Sequence, residues 1–262
     1  MPPPARRMGI TVEDMEDREA RRLSFGAAAA AYATYRPGYP ASAIDWALDG
    51  APGPHVLDLA AGTGKLTASL IARPHLHVTA VEPDPEMLGE LRRLLPEVDA
   101  RPGTAEEIPL PDGSVDAIVI GQAWHWMDPD RALPELARVL RPGGMLAALW
   151  NRDDETVEWV AGANAAIGLT TNPGGRGRRA FPEYPAFSPT EVQTFRHAVP
   201  QTIDSMIANI ATHSWALTAE PTERDAALGR MRDYLSTRPE TAGGSFDEPL
   251  RTDVLRAQRL RR

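Results

Sequence analysis

Two carboxylates in neighbouring apolar segments are the first candidates for chemistry in this sequence. Asp58 lies in VLDLAAGTGKLT (residues 56–67), where Gly62 and Gly64 allow a tight turn that brings the backbone close to a ligand. Glu82 ends the next apolar segment, HVTAVE, 24 residues after Asp58. At that spacing a nucleotide-binding α/β sheet places a carboxylate beside a ribose, whose two hydroxyls can donate to it. The pair predicts a nucleoside site.

The glycine spacing of this turn separates three classes of nucleotide site. A phosphate-binding P-loop requires Gly and a hydroxyl residue where this chain has Leu59 and Leu66, so that class is excluded. The dinucleotide pattern G-x-G-x-x-G is met only in part, because Thr67 takes its last position. A turn for S-adenosylmethionine (SAM) has an acidic strand end followed by glycines four and six residues later, and this segment has both.

The chemistry of SAM fits the turn because this cofactor carries no phosphate but has an ammonium group. Asp58 is placed to bind that group directly or through water. Ala60 stands where the first glycine of such turns is usual, a change that takes little room. The alternative is an ordinary turn before a packed helix.

Residues near the ends of the second and third strands extend the predicted cofactor site. Met87 can lie against an adenine ring, although a Met at this position is also a common core residue. Thr104, Ala105 and Glu106 form a polar turn that can read the adenine edge.

An alternation of short apolar strands and amphipathic helices between residues 55 and 150 indicates the fold class. The predicted strands are His55–Leu59, His77–Val81, Val98–Pro102, Val115–Gly121 and Met145–Trp150, and the helices are Leu66–Ala72, Pro85–Leu95 and Pro129–Leu140. Such a pattern predicts a doubly wound α/β domain with a parallel sheet covered on both faces.

The pattern changes after Trp150. We expect helices over Thr156–Leu169, Asp204–Leu217 and Thr222–Thr237, and strands over Glu191–Pro200 and Pro249–Gln258. The helices after Asp204 should pack over the carboxyl edge of the sheet, where ligands of open α/β sheets bind.

These segments together resemble the class I SAM-dependent methyltransferases, within them the bacterial small-molecule branch that includes trans-aconitate methyltransferase. The resemblance covers about Phe25 to Trp150. It implies a Rossmann-like, mostly parallel seven-stranded sheet of order 3-2-1-4-5-7-6, with the last strand antiparallel. It also implies one domain (25–262), composed of lid helices (25–50), a cofactor-binding core (51–155) and acceptor-side helices with the final strands (156–262). The residues before it (1–24) mix charges of both signs with prolines, and we expect them to form a mobile arm.

The resemblance assigns further residues. The segment FGAAAAAYATYRPGYP becomes a lid over the cofactor, with Tyr32, Arg36 and Tyr39 contacting the methionine end or the methyl acceptor. Many relatives carry Asp where this chain has Thr104, so an acidic contact to the adenine amine is not expected.

The segment QAWHWMD follows the fourth strand and supplies the predicted acceptor side. Gln122 should lie near the methionine part of SAM, and His125 and Trp126 near the acceptor. His125 is either a general base or a wall of the pocket, because a carboxylate acceptor needs no base.

The composition of the chain limits the classes of partner that we expect it to bind. The 262 residues contain no cysteine, which suits a reducing cytoplasm, and no apolar run long enough for a membrane span. The net charge of −8 disfavours nucleic acid, and Arg176, Arg178 and Arg179 form the one internal basic group. The histidines lack metal-ligand spacing, so no metal is predicted.

The prediction is therefore methyl transfer from SAM to a small molecule, with a carboxylate or phenol oxygen slightly favoured, by a monomer or homodimer. Two alternatives stay open. One is a SAM-binding cyclase or regulatory protein that transfers no methyl group. The other is an NAD-dependent oxidoreductase, which the irregular glycine spacing and the single lysine, Lys65, disfavour.

Overall fold

The computed structural model describes residues 29–169 and 180–261. The predicted arm, the first residues of the lid segment (25–28) and the basic group at 176–179 lie outside these ranges.

A seven-stranded sheet of order β3-β2-β1-β4-β5-β7-β6 organises the domain, as expected. β7 runs antiparallel to both of its neighbours, and the other strands are parallel to one another. The strands are β1 (His55–Leu59), β2 (His77–Glu82), β3 (Asp99–Pro102), β4 (Val115–Gly121), β5 (Leu140–Asp153), β6 (Glu191–Thr202) and β7 (Ser245–Gln258).

Helices cover both faces of this sheet. They are α1 (Ala29–Tyr35), α2 (Ala41–Leu48), α3 (Lys65–Ile71), α4 (Pro85–Leu94), α5 (Pro129–Val139), α6 (Glu158–Ala166), α7 (Ile203–Ala211), α8 (Ser214–Thr218) and α9 (Pro221–Ser236). Asp-Pro pairs begin α4 and α5: the Asp84 and Asp128 carboxylates accept backbone N–H groups of the first turn, and proline tolerates the first helical position.

The alternation of side chains along β4 divides the core into two layers. Ile118 and Ile120 pack in the cluster that contains α5, whereas Ala117 and Val119 pack in the cluster that contains α2 and α3. Side chains on both faces of β4 are buried, which explains why the strand is apolar in the sequence except for Asp116.

A third apolar cluster holds the acceptor-side helices together. Trp159 of α6, Met206 of α7 and Met231 of α9 are at its centre. The Arg36 side chain, which follows α1, donates to the Thr212 hydroxyl at 2.9 Å and to its carbonyl at 3.2 Å. The lid segment is thereby attached to the end of α7.

Most element ends shift by one to four residues from the sequence-based expectation, as in β7, which begins at Ser245 and not at Pro249. Two differences are larger. β5 begins at Leu140, because the segment predicted as a turn, Arg141–Gly144, continues the strand through a register shift, with Gly143 at φ 86°. The predicted helix Asp204–Leu217 ends at Ala211, because the Thr212 hydroxyl donates to the Asn209 carbonyl at 2.6 Å and His213 is extended. α8 then starts a new direction.

Two helical glycines give a matched test of this packing. A Cβ at Gly162 in α6 would overlap the Tyr234 hydroxyl and ring, and the Arg238 guanidinium lies 4.3 Å above that ring. A Cβ at Gly229 in α9 would meet nothing within 4 Å. Gly162→Ala should lower the free energy of unfolding by about 1–3 kcal/mol through overpacking, and Gly229→Ala should raise it by about 0.5–1 kcal/mol. Urea unfolding of the two variants measures both; equal effects would contradict this packing.

Candidate active site

The turn after β1 is built from left-handed backbone. Ala60, Gly62 and Gly64 have φ values of 56°, 58° and 87°. The Ala61 N–H donates to the Val81 carbonyl at 3.1 Å, which ties the turn to the adjacent strand β2. Gly62 and Gly64 adopt these angles without strain, whereas Ala60 adopts the same region at a steric cost.

The Glu82 carboxylate joins this turn to the next one. Its Oε2 accepts the Gly62 N–H at 2.8 Å and its Oε1 accepts the Asp84 N–H at 2.9 Å. The residue is only 6% exposed and lines a cavity. Glu82 thus presents a buried, fixed carboxylate to that cavity.

Asp58 lies beneath the turn and does not line the cavity. Its Oδ2 accepts the Thr67 hydroxyl at 2.6 Å, and its buried Oδ1 has no hydrogen-bond partner among the described residues. Burial raises the pKa of Asp58 to about 7; the Thr67 hydrogen bond opposes this shift and the Glu82 charge adds to it.

A cavity of about 640 Å³ opens at the carboxyl edge of the sheet, where the sequence predicted a ligand. Most of the predicted site residues line it together: Tyr32, Arg36, Ala60, Gly62, Glu82, Met87, Thr104, Ala105, Glu106, Gln122, His125 and Trp126. Three do not. Asp58 is underneath, Gly64 packs beside Leu91 and Leu95, and Tyr39 lines a smaller adjoining cavity.

The predicted adenine-edge loop is a closed turn. Thr104 and Glu107 exchange backbone hydrogen bonds at 3.4 Å, and Ala105 is buried. The Glu106 carboxylate accepts the Asp128 N–H at 3.0 Å, which links this loop to the start of α5.

The segment after β4 turns sharply into the cavity. Gln122 has φ 58°, its N–H donates to the Leu149 carbonyl at 2.8 Å, and its Nε2 donates to the Asn151 carbonyl at 3.0 Å. A 3-10 turn, Trp124–Trp126, follows. It buries Trp124 against Phe181 and leaves its other two rings to line the cavity.

His125 is oriented by its neighbours. The Trp150 indole Nε1 donates to His125 Nδ1 at 3.5 Å, and the imidazole contacts the Trp126 ring with centroids 4.6 Å apart. An indole nitrogen can only donate, so Nδ1 is the acceptor in this contact.

The lid segment closes the site from the N-terminal side. Arg36 lies 5.0 Å from the centroid of the Tyr32 ring, and both residues line the cavity. Gly121 makes room for Tyr39, because a Cβ at Gly121 would come within 2.6 Å of the Tyr39 hydroxyl. Burial raises the pKa of Tyr39 well above its ordinary value.

Sequence reasoning missed part of the cavity wall. His213, Ser214 and Trp215, at the start of α8, line the cavity together with Arg36. Burial, and then the charge of Arg36, lower the pKa of His213 well below its ordinary value. In the sequence these residues look like the interior of one long helix. They line the cavity because the helix breaks at Thr212.

Comparison with known proteins shows which family the chain resembles. A family described as a methyltransferase domain matches residues 57–148. An uncharacterized methyltransferase of Mycobacterium tuberculosis is 46% identical over 229 residues, which cover 87% of this chain and 92% of that protein. The malonyl-acyl-carrier-protein O-methyltransferase of Methylococcus capsulatus is 43% identical over 103 residues, 37% of this chain and 38% of that protein. A solved structure from Anaeromyxobacter dehalogenans, described provisionally as a type II methyltransferase, superposes with a TM-score of 0.61 at 25% identity, covering 87% of this chain and all of that one, 100%.

The chain therefore belongs to the methyltransferase family. It is a SAM-dependent enzyme, and the structure agrees with that cofactor: a buried carboxylate faces the cavity at the end of β2, and the left-handed turn after β1 leaves the backbone accessible beside it. Within the two described ranges no helix is long and apolar enough to cross a membrane, and no group of three or more metal-ligating side chains is found.

The raised pKa of Asp58 makes stability depend on pH. Because the folded pKa of about 7 exceeds the ordinary value of 3.8, the folded protein keeps a proton that the unfolded chain has released between these values. The stabilising contribution of this carboxyl is complete below about pH 4 and is lost as the pH rises through 7. Relative to wild type, Asp58→Asn should gain up to about 1.4 kcal/mol per pH unit over that range and level off above it. Urea unfolding at several pH values measures this; a constant difference would contradict it.

Proposed function

We propose that this enzyme transfers the methyl group of SAM to a small-molecule acceptor, with a carboxylate or phenol oxygen as the nucleophile. One observation carries the proposal. A cavity of about 640 Å³ is lined both by the predicted nucleoside-side residues and by the aromatic, histidine-containing segment that follows β4. That volume suits a cofactor and a small acceptor together. The specific likeness to trans-aconitate methyltransferase stays a prediction.

The nucleoside wall would hold the cofactor through groups that are already fixed. Glu82 would accept the ribose hydroxyls, because both of its oxygens are oriented by backbone N–H groups. Met87 would pack on the adenine, and the turn of Thr104, Ala105 and Glu106 would border its edge. Gln122 would lie at the methionine end.

The chain's contribution to the reaction is orientation and exclusion of water. Bound SAM supplies an electrophilic methyl group on a sulfonium sulfur, and the departing thioether is neutral. The protein therefore needs no group to stabilise a leaving anion. Holding the acceptor oxygen in line within a closed site lowers the barrier through proximity. The attachment of Arg36 to Thr212 keeps the lid over that site.

The acceptor wall favours an oxygen that is already anionic. The His125 imidazole lines this wall, and its Nδ1 already accepts the Trp150 indole N–H, so that nitrogen is not the base that a neutral acceptor would need. His213, held neutral by burial and by Arg36, lies in the same wall. An O-methyltransferase among the relatives supports oxygen as the target, although that likeness covers 37% of this chain.

The first test measures how much the Glu82 carboxylate contributes to the affinity for SAM. Glu82→Ala should weaken SAM binding by about 10- to 150-fold, as expected for the loss of hydrogen bonds to a charged group. Isothermal titration calorimetry measures the affinity, with NAD as a ligand that should give no comparable response.

Glu82→Gln is the matched control, because it keeps an oxygen for the Gly62 N–H while removing the charge. It should fall between wild type and Glu82→Ala. Unchanged SAM affinity in a folded Glu82→Ala protein, or tight NAD binding, would place the ribose elsewhere and overturn the proposed site.

The second test determines whether His125 acts as a general base or only forms part of the pocket wall. With small carboxylic acids and phenols as acceptors, His125→Ala should lower kcat by less than about tenfold at every pH, because the base role would cost about 10²- to 10⁴-fold. Formation of S-adenosylhomocysteine (SAH) reports turnover. His75→Ala removes an exposed histidine at the opposite edge of the sheet and should leave turnover unchanged. A large loss that high pH rescues would instead assign His125 as a base for a phenol.

A further inference from the structure

Aromatic rings from three separate elements line the main cavity. Tyr32 comes from the lid helix α1, Trp126 from the 3-10 turn after β4, and Trp215 from α8. Each of these residues is half-buried, so each keeps surface that the protein itself does not cover. Rings that converge from several elements on one open space are typical of a pocket for a flat apolar group.

Two of these rings are fixed by contacts outside the cavity. Trp126 follows Trp124, which is fully buried and meets the Phe181 ring edge-on with centroids 5.1 Å apart. Trp215 packs against the third apolar cluster, and its neighbour Ala216 is fully buried. A wall that is fixed before the ligand arrives loses little conformational entropy on binding. The ring positions therefore select the shape of the acceptor.

The charges around the cavity limit the charge of the acceptor. An excess of carboxylates repels a ligand that carries several negative charges. Arg36 already donates from Nε and Nη2 to Thr212 and lies against the Tyr32 ring. The cavity therefore fits a neutral or singly charged acceptor better than a polyacid. Among the described residues that line it, the acids are Glu82, Asp84, Glu106 and Asp128, and the arginines are Arg36 and Arg131.

The polar groups beside Trp215 are uncharged. Ser214 supplies a hydroxyl, and burial, followed by the charge of Arg36, lowers the pKa of His213, so its imidazole is neutral at about pH 7. A hydroxyl and a neutral imidazole can hydrogen-bond to an oxygen without pairing a charge. Flat rings with a few neutral polar groups match a ring that carries a hydroxyl.

We propose that the methyl acceptor is a planar aromatic hydroxyl compound, whose ring packs against Trp126 and Trp215 while its oxygen is directed at the methyl group of SAM. This inference rests on the proposed function and narrows its acceptors from carboxylates and phenols to phenols. It makes Trp215, in a short helix that follows the break at Thr212, a residue that determines acceptor specificity.

The reaction needs no further reactant. The phenol releases its proton to solvent water, and an electron pair of the phenolate oxygen forms the new O–C bond. The electrons of the broken C–S bond return to sulfur, which leaves as a neutral thioether. The products are an aryl methyl ether, SAH and one proton.

Three acceptors of different chemistry provide the first part of the test. Wild-type enzyme receives SAM with 2-naphthol, with benzoate or with tricarballylate, an aliphatic acid with three carboxylates, and SAH formation is measured. Benzoate shares the flat ring but offers only a carboxylate oxygen. We expect kcat/KM for 2-naphthol to exceed both other values by about tenfold or more.

Two variants of Trp215 provide the second part. Trp215→Leu keeps an apolar side chain without a ring, and should raise the KM for 2-naphthol by about three- to tenfold, as expected for the loss of an aromatic pair. Trp215→Phe keeps a ring and should stay within about twofold of wild type. Calorimetry should give an SAH affinity within about twofold of wild type for both variants.

Trp46→Leu is the matched control for the loss of a tryptophan. Trp46 contacts Phe195 and Arg256 in α2 and lies outside the lining of the cavity, so its variant should leave the KM for 2-naphthol unchanged. If Trp215→Leu does not fold, as judged by its thermal melting, Trp126→Leu takes its place with the same expected selectivity.

The outcomes separate the two proposals. Preferred turnover of 2-naphthol, with a raised KM in Trp215→Leu that Trp215→Phe does not show, supports the inference. Preference for benzoate or tricarballylate, turnover of none of the three, an unchanged KM in Trp215→Leu, or an equal loss of SAH affinity in that variant overturns it, while SAH binding by the wild-type protein keeps the cofactor site. Wild-type protein that does not bind SAH overturns the proposed function itself.

Discussion

The site depends on the hydrogen bonds that Glu82 accepts from Gly62 and Asp84. They fix two consecutive loops at the carboxyl edge, one after β1 and one before α4. With Asp58 buried below, two carboxylates lie close enough for the charge of one to raise the pKa of the other. Such a pair creates a negative potential within a low-dielectric wall, which favours a cationic ligand. The same pair lowers the stability of the folded protein, because burial and the neighbouring charge disfavour the ionised form of Asp58.

Backbone strain is concentrated at the same edge. Ala60 and Gln122 end the central strands β1 and β4, and both adopt left-handed angles that side chains disfavour. Each such residue costs of order 1–3 kcal/mol and persists because the surrounding structure holds it. Here the ladder bonds of Ala61 to Val81 and of Gln122 to Leu149 do so. Ala60 and Gln122 both line the cavity, so the two strained turns lie where a ligand would bind.

The sequence predicts what local periodicity and turn chemistry determine. β1 and β4 were predicted residue for residue, because they are short, mainly apolar runs bounded by turn residues. Most residues that line one side of the cavity were singled out in the sequence because they follow strand ends. The break at Thr212 was not, since its hydroxyl partners include Arg36, 176 positions earlier. His213 and Trp215 line the cavity after that break. Local patterns explain the elements that were predicted correctly. Pairing between distant residues, which periodicity does not encode, explains the break that was missed.

The position of β7 also shapes how the chain reaches this structure. β7 lies between β5 and β6, both of which precede it in the sequence. Until β7 has been synthesised, the polar backbone edges of β5 and of the twelve-residue β6 have no strand to pair with in this arrangement. Unpaired edges of that kind recruit other strands and favour aggregation. Translation speed and chaperone access during the synthesis of α7 to α9 should therefore influence how much native enzyme a cell obtains.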